Sequence, residues 1–367
     1  MSRRAAWGIG LAFALLAAGA AWGAWRARTA EFPGRQWAWK APEEAGFSAA
    51  KLEAFSRQAG GYGCLVHAGK MIHAWGNLTN RHDVASSCKP VYAFLTLKAI
   101  EQGRLGSLDE PVAKWMPALA VLNPELGFKD REITFRHLLR QTSGYGLAER
   151  PGEAFAYNDY GTGLLVWTVL HEVLQTPWKF FDDVLNGPWL GQAIGFEDSP
   201  DMNHRGSHLG RLRMSVRDQA RFAWLCLRGG EWRGRRVLRP DLFAAARGGT
   251  LPPDFPRTAG AESRMLKKPG TIGGGRNEKN HLGCLGNFWW NNRPTPDGAR
   301  LLPDAPPGTY LGSGYGGRFA MVIVPELELV AVWQNVHPDE IWSPFSEIGR
   351  FKVNEMLREL LAARASP

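Results

Sequence analysis

Ser86 and Lys89 stand three residues apart in Asp83-Val84-Ala85-Ser86-Ser87-Cys88-Lys89-Pro90, at the start of an apolar helical run. On a helical turn that spacing puts a hydroxyl and an amine on one face, the nucleophile-and-base pairing of Ser-Lys acyl transfer. Ser48-Ala49-Ala50-Lys51 repeats the spacing, so the surrounding sequence has to choose between the two serines. A second chemical candidate is Tyr157 in Pro151-Gly152-Glu153-Ala154-Phe155-Ala156-Tyr157-Asn158-Asp159-Tyr160-Gly161, directly ahead of a helical pattern. A tyrosine so placed can take or deliver a proton when cations lie close by.

The elements that must position these groups can be read from periodicity. Ser48 precedes a helix pattern over Ala49 to Gln58, with Ala50, Leu52 and Phe55 apolar, and so has a capping role to fill. Residues 61–76 predict a hairpin: Cys64 to His67, a turn at Ala68-Gly69-Lys70, then Met71 to Trp75. Ser86 follows it and heads a helix with Val91, Phe94, Leu95, Leu97 and Ile100 apolar and Gly103 as its stop. Residues 104–250 read as mainly helical, with helices at Thr134 to Arg140, Tyr160 to Leu174, Trp178 to Leu185 and Val216 to Leu227. From about 250 to 282 the text is loop-like, including Gly273-Gly274-Gly275 without a strand-to-helix phosphate-binding context. Strand patterns return at Phe288 to Trp290, Arg318 to Val324 and Leu327 to Trp333. A last amphipathic helix spans Ser346 to Leu361, with Ile348, Phe351, Val353, Met356 and Leu360 apolar. Strands at both ends around a helical middle predict an α/β (α+β) fold: a central, mainly antiparallel sheet closed by both termini, with an inserted helical lobe.

Composition limits the function classes. The 367 residues are 44% hydrophobic and carry a net charge of +9, but the basic residues are scattered. With no dense basic stripe beyond Arg233-Gly234-Arg235-Arg236 and Lys267-Lys268, nucleic acid is not an expected partner. Arg3 and Arg4 precede an uncharged run from Ala5 to Trp25, long enough to span a bilayer. Residues 1–28 are therefore expected to be an export signal or membrane anchor. Trp7, Trp22 and Trp25 favour the anchor, and the cell envelope is the expected location. A linker at 29–44, a domain at 45–360 and a short tail at 361–367 complete the predicted organisation. The four cysteines (64, 88, 226 and 284) form no metal-type pair, and Cys88 reads as a small packing residue. No cofactor or metal is expected. His67, His73, His137 and His171 lie in strand or helix patterns and are assigned no ligand role.

The ordered motifs resemble the serine β-lactamase and penicillin-binding-protein-like hydrolases, in their class C, esterase and amide-hydrolase branch, from about Ala45 to Glu355. Ser86 and Lys89 match that family's Ser-x-x-Lys, and Ile133-Thr134-Phe135-Arg136-His137-Leu138-Leu139-Arg140-Gln141-Thr142-Ser143-Gly144 matches a second stretch. Tyr157, Asn158 and Asp159 fall on Tyr-x-Asn, Met214 to Phe222 on a helix start, and Gly312-Ser313-Gly314 on the Lys-Thr-Gly strand motif. The resemblance implies a two-step acyl transfer on a small-molecule or peptide-like substrate. Ser86 is the nucleophile, Lys89 and Tyr157 share the proton work, and the oxyanion lies between the Ser86 N–H and an N–H near Ser313 and Gly314. Two departures qualify it. Asp159 replaces an asparagine, so a carboxylate there holds Lys89 as a cation or binds a cationic substrate group. The third motif lacks the cation that in β-lactamases helps hold the substrate carboxylate, which points towards an ester or amide. Aligning back from Pro325 places Tyr310-Leu311-Gly312 at the third motif equally well. The alternative function is a slow-acylating penicillin-binding-like receptor or a non-catalytic cell-wall-binding module. Ser143 and Ser313 also adjoin glycines, but no serine lies in Gly-x-Ser-x-Gly.

Overall fold

The computed structural model describes residues 31–202, 209, 211–269, 280–336 and 350–365. Residues 1–28, Gly273-Gly274-Gly275, Ser346 and Ile348 lie outside the described residues. Among the described residues no helix is long and apolar enough to cross a membrane.

Helix α1 (Ala49–Ala59) precedes strands β1 (Tyr62–His67) and β2 (Lys70–Trp75). Ser48 caps α1, its hydroxyl accepting the Lys51 N–H at 3.4 Å, so the second Ser-x-x-Lys of the chain is a helix start. Short strands β3 (His82–Asp83), β4 (Asp201–Met202) and β5 (Leu212–Met214) form a small sheet in the order β3-β5-β4. A hairpin of β6 (Glu231–Trp232) and β7 (Arg235–Arg236) follows. Strands β8 (Trp290–Asn291), β9 (Tyr310–Gly314), β10 (Phe319–Val324) and β11 (Leu329–Gln334) then build the main sheet, ordered β2-β1-β11-β10-β9-β8 and antiparallel throughout. The N-terminal hairpin joins the C-terminal strands at β1–β11, from Tyr62 opposite Gln334 to His67 opposite Leu329.

Period-two alternation gives this sheet two buried faces. Cys64, Val66, Met321, Ile323, Val330 and Val332 belong to the core shared with the helical lobe. Leu65, Leu311, Ala320, Val322, Val324, Ala331 and Trp333 face the other core, with Leu52 and Phe55 of α1 and Val353, Met356 and Leu360 of the last helix, Arg350–Ala362. Strands buried on both sides need apolar residues at every position, which explains Phe-Ala-Met-Val-Ile-Val and Leu-Val-Ala-Val-Trp as unbroken runs.

The lobe is less helical than its sequence suggests. Residues 112–132 form a series of 3-10 turns, and β4 to β7 add short strands. Helix α2 (Lys89–Glu101) leads into it, and its helices among the described residues are α3 (Phe135–Arg140), α4 (Asp159–Trp167), α5 (Phe181–Asn186), α6 (Gly191–Ile194), α7 (Val216–Leu227) and α8 (Pro240–Arg247). The predicted helix from Tyr160 to Leu174 changes to π geometry over Thr168–Val173. Trp289 and Trp290 are buried, one in each core.

Candidate active site

Ser86 does not open a helix, as its sequence context suggested; it lies in a 3-10 turn, Ala85–Cys88, and α2 begins at Lys89. The correction strengthens the pairing, because residues i and i+3 eclipse at three residues per turn. Pro90 occupies the first turn of α2, where its missing N–H costs no hydrogen bond. Ala85 takes a left-handed conformation (φ 49°), unusual for a residue with a Cβ and typical of tightly determined turns. Its N–H donates to Asp83 Oδ1 at 2.9 Å, and Ser87 Oγ donates to Val84 O at 2.6 Å. From α7, the Gln219 amide donates to Ser87 Oγ at 3.0 Å and itself accepts from Gln334 of β11 at 3.0 Å. A buried polar chain thus ties the serine turn to the sheet.

Tyr157 reaches the same point from a different loop. Asn158 caps α4, its side-chain oxygen accepting the Gly161 N–H at 2.9 Å. Its amide donates to Tyr145 O at 2.7 Å, and its backbone N–H donates to Gln141 Oε1 at 2.6 Å. Ser143 is buried in the turn beneath, accepting the Tyr145 N–H. On the other side, Phe155 N–H donates to Pro256 O and Thr258 N–H to Phe155 O, both at 2.8 Å. The long segment after residue 250, expected only as a loop, therefore pairs with the strand-like run that carries Tyr157.

These supports converge on one ammonium. Lys89 Nζ lies 3.1 Å from Ser86 Oγ, 3.1 Å from Tyr157 Oη and 2.5 Å from Asp159 Oδ1. A lysine ammonium has three protons, and three oxygens receive them. Lys89 and Tyr157 are buried; Ser86 and Asp159 are half-buried, facing the opening. Burial by itself pulls the Lys89 pKa down, but the Asp159 carboxylate and the Tyr157 oxygen outweigh it and hold the amine above the ordinary lysine value. The Asp159 carboxylate is the ion-pair partner of Lys89.

Strand β9 closes the other side, and its register is now defined. A Cβ on Gly314 would stand 2.9 Å from Ser86 N, Ser87 N and Val84 O, so this residue touches the serine turn. A Cβ on Gly312 would stand 2.9 Å from Met321 Cε and 3.0 Å from Ser87 O. Gly312-Ser313-Gly314 is thus the segment beside Ser86. Tyr310 instead sends its hydroxyl to Cys226 O at 2.9 Å, and Leu311 enters the far core. Neither glycine has space for a side chain, so β9 offers no cation at this point. Beyond the β8 pairing at Tyr310 and Leu311, the outer edge of β9 has no ladder partner among the described residues.

Two further groups at the site carry no local sequence signal. Arg211, just before β5, lines the cleft together with Ala85, Ser86, Lys89, Asp159 and Thr162. It is bound to Asp83 through Nε at 3.0 and 2.9 Å and Nη2 at 2.8 Å. Their 128-residue separation leaves no local signal. Gln219 likewise sits in a stretch that reads only as a helix start. The cysteines do not bear on the chemistry: none is in a disulfide, all are buried, and burial pushes the Cys88 thiol up to about 12. Among the described residues no cluster of His, Cys, Asp and Glu could hold a metal ion. His137 caps α3, its Nδ1 accepting the Thr134 N–H at 3.2 Å, and His73 bonds Ser56 Oγ at 3.2 Å.

A two-faced antiparallel sheet with a Ser-x-x-Lys turn between it and a helical lobe is the β-lactamase-like hydrolase fold. The chain belongs to the beta-lactamase family, whose family model matches residues 49–335. Among solved structures, a penicillin-binding protein homolog from Caulobacter crescentus is 13% identical, with a TM-score of 0.59 over 88% of this chain and 98% of that one. A class C beta-lactamase is 14% identical, with a TM-score of 0.57 over 87% and 98%. EstCE1, a hydrolase with promiscuous acyltransferase activity, is 16% identical, with a TM-score of 0.55 over 87% and 98%. At these identities the likeness is one of fold. A comparison with curated proteins gave no match.

Proposed function

We propose that the protein is a serine hydrolase that cleaves an ester or amide through an acyl-enzyme on Ser86. The observation that carries this reading is the placement of Lys89 Nζ at 3.1 Å from both Ser86 Oγ and Tyr157 Oη. Ser86 attacks the carbonyl carbon and its proton passes to the Lys89–Tyr157 pair. That pair returns a proton to the leaving oxygen or nitrogen, and water then releases the acyl group. The Ser86 N–H and an N–H from β9 near Ser313 and Gly314 are the donors for the oxyanion. A lysine held as a cation by Asp159 orders the three oxygens at rest. It must shed a proton before it can accept one from Ser86, so acylation quickens as pH rises.

Gly312 supports esters and amides over β-lactams, since the strand beside Ser86 has no room for a cationic side chain. The Asp159–Lys89 pair also favours a second reading, a slow-acylating receptor, because a lysine kept charged is a poor base. Intact-mass measurement after exposure to phenyl butyrate, a D-alanyl anilide and benzylpenicillin separates the two. Turnover of the ester or anilide without lasting adduct is the expected result. A stable penicilloyl adduct with no turnover of either other compound favours the receptor, and no adduct and no turnover leaves a binding module. We further propose, from residues 5–25, that the protein resides in the cell envelope.

A further inference from the structure

Within the candidate site every proton of the Lys89 ammonium is already directed at Ser86, Tyr157 or Asp159. Strand β9 adds no cation, because Gly312 and Gly314 leave no space for one. Among the described residues, the one further positive group on the cleft wall beside Ser86 is Arg211. Asp83 takes its Nε and Nη2, and the same carboxylate accepts the Ala85 N–H, so the guanidinium is fixed relative to the serine turn. A guanidinium presents five N–H donors in a planar fork, and this one spends a single edge on Asp83. Among the described residues Nη1 makes no hydrogen bond, and the side chain is 41% exposed. Asp159, the acid that lines the cleft with it, is held by Lys89 at 2.5 Å.

We propose that Arg211 is a specificity-determining residue. Its outer Nη1–Nη2 edge receives a carboxylate of the substrate, and Asp83 positions it to do so. The preferred substrates are then esters or amides that carry a negative charge a short distance from the scissile carbonyl. This rests on the hydrolase reading above and deepens it. A planar bidentate match to carboxylate is the interaction a fixed arginine makes best, and a lysine in its place keeps the charge but loses the fork.

The test uses two pairs of esters matched for shape. One pair is 3-carboxyphenyl butyrate and 3-carbamoylphenyl butyrate; the other is monophenyl adipate and its terminal amide, phenyl 5-carbamoylpentanoate. Wild type is expected to favour the carboxylate by about tenfold or more in kcat/KM in at least one pair. In Arg211→Gln that ratio falls towards one, and in Arg211→Lys it lies between. Calorimetric binding of 3-hydroxybenzoate against 3-hydroxybenzamide to the same three proteins reads the anion site without turnover, and melting temperatures check the fold. No carboxylate preference in either ester pair and equal binding of the two phenols overturns the proposal. So does an Arg211→Gln variant that weakens charged and neutral probes alike. Tighter wild-type binding of 3-hydroxybenzoate, lost in Arg211→Gln, upholds the anion site even where no ester is turned over, and that last result counts against the hydrolase reading alone.

Discussion

Gly314→Ala is the smallest change that reaches the heart of the site. The new Cβ would lie 2.9 Å from Ser86 N, Ser87 N and Val84 O, whereas carbon contacts settle near ~3.5 Å or beyond. All three are backbone atoms, so no flexible side chain can swing away. The serine turn and β9 must separate by roughly half an ångström, at a cost of about 1–3 kcal/mol, typical of overpacking. For a domain of this size that lowers Tm by roughly 2–10 °C. The same shift moves the Ser86 nucleophile and its N–H. A 1 Å misplacement of reacting groups costs about a hundredfold, so kcat should drop by about ten- to a hundredfold. The assay is hydrolysis of phenyl butyrate together with a thermal melt, with Gly34→Ala as control, where the nearest atoms to a Cβ are 3.8 Å away. Wild-type kcat and Tm in Gly314→Ala would refute the close approach. A lowered Tm with unchanged kcat would refute its link to the nucleophile.

Two further outcomes follow from the same geometry. Asp159→Asn keeps an oxygen near Lys89 but removes the charge that opposes burial, so the Lys89 pKa falls. With Lys89 as the base, the rising limb of kcat/KM against pH should move to lower pH, and an unmoved limb would exclude that role. The buried cysteines should be inert in the folded protein, with all four reacting with a disulfide reagent only after denaturation. Fast labelling of Cys88 in the native state would contradict the burial that raises its thiol to about 12.

Much of this architecture was legible because its signals are local. The β1–β2 hairpin follows from alternation and a Gly69 turn, and α7 follows from its Ser215 cap and apolar spacing. Spacing alone leaves Ser86–Lys89 and Ser48–Lys51 equal; the ordered motifs around them single out Ser86, Lys89 and Tyr157, whose side chains meet at Lys89 Nζ. What stayed hidden depends on long-range closure. Arg211 meets Asp83 only because β5 pairs with β3. Gln219 supports Ser87 only once α7 lies under the sheet. The segment near residues 255–266 lacks periodicity because its hydrogen bonds go to single residues of the Tyr157 loop and the turn before it, as with Leu266 N–H to Tyr145 Oη at 3.0 Å. The 3-10 turn at Ser86 lacks a local signal for a related reason. Ala85 is left-handed with its N–H bonded to Asp83, and β9 closes on the turn at Gly314; helix propensity carries no trace of either.

The central claim, that Ser86 is the nucleophile raised by this turn, is met most directly by covalent labelling. A fluorophosphonate applied to the wild-type protein, followed by proteolysis and mass spectrometry, should place one phosphonyl group on the peptide containing Ser86. Labelling should vanish in Ser86→Ala, together with ester hydrolysis. A label on any other serine, or full activity in Ser86→Ala, would contradict the account.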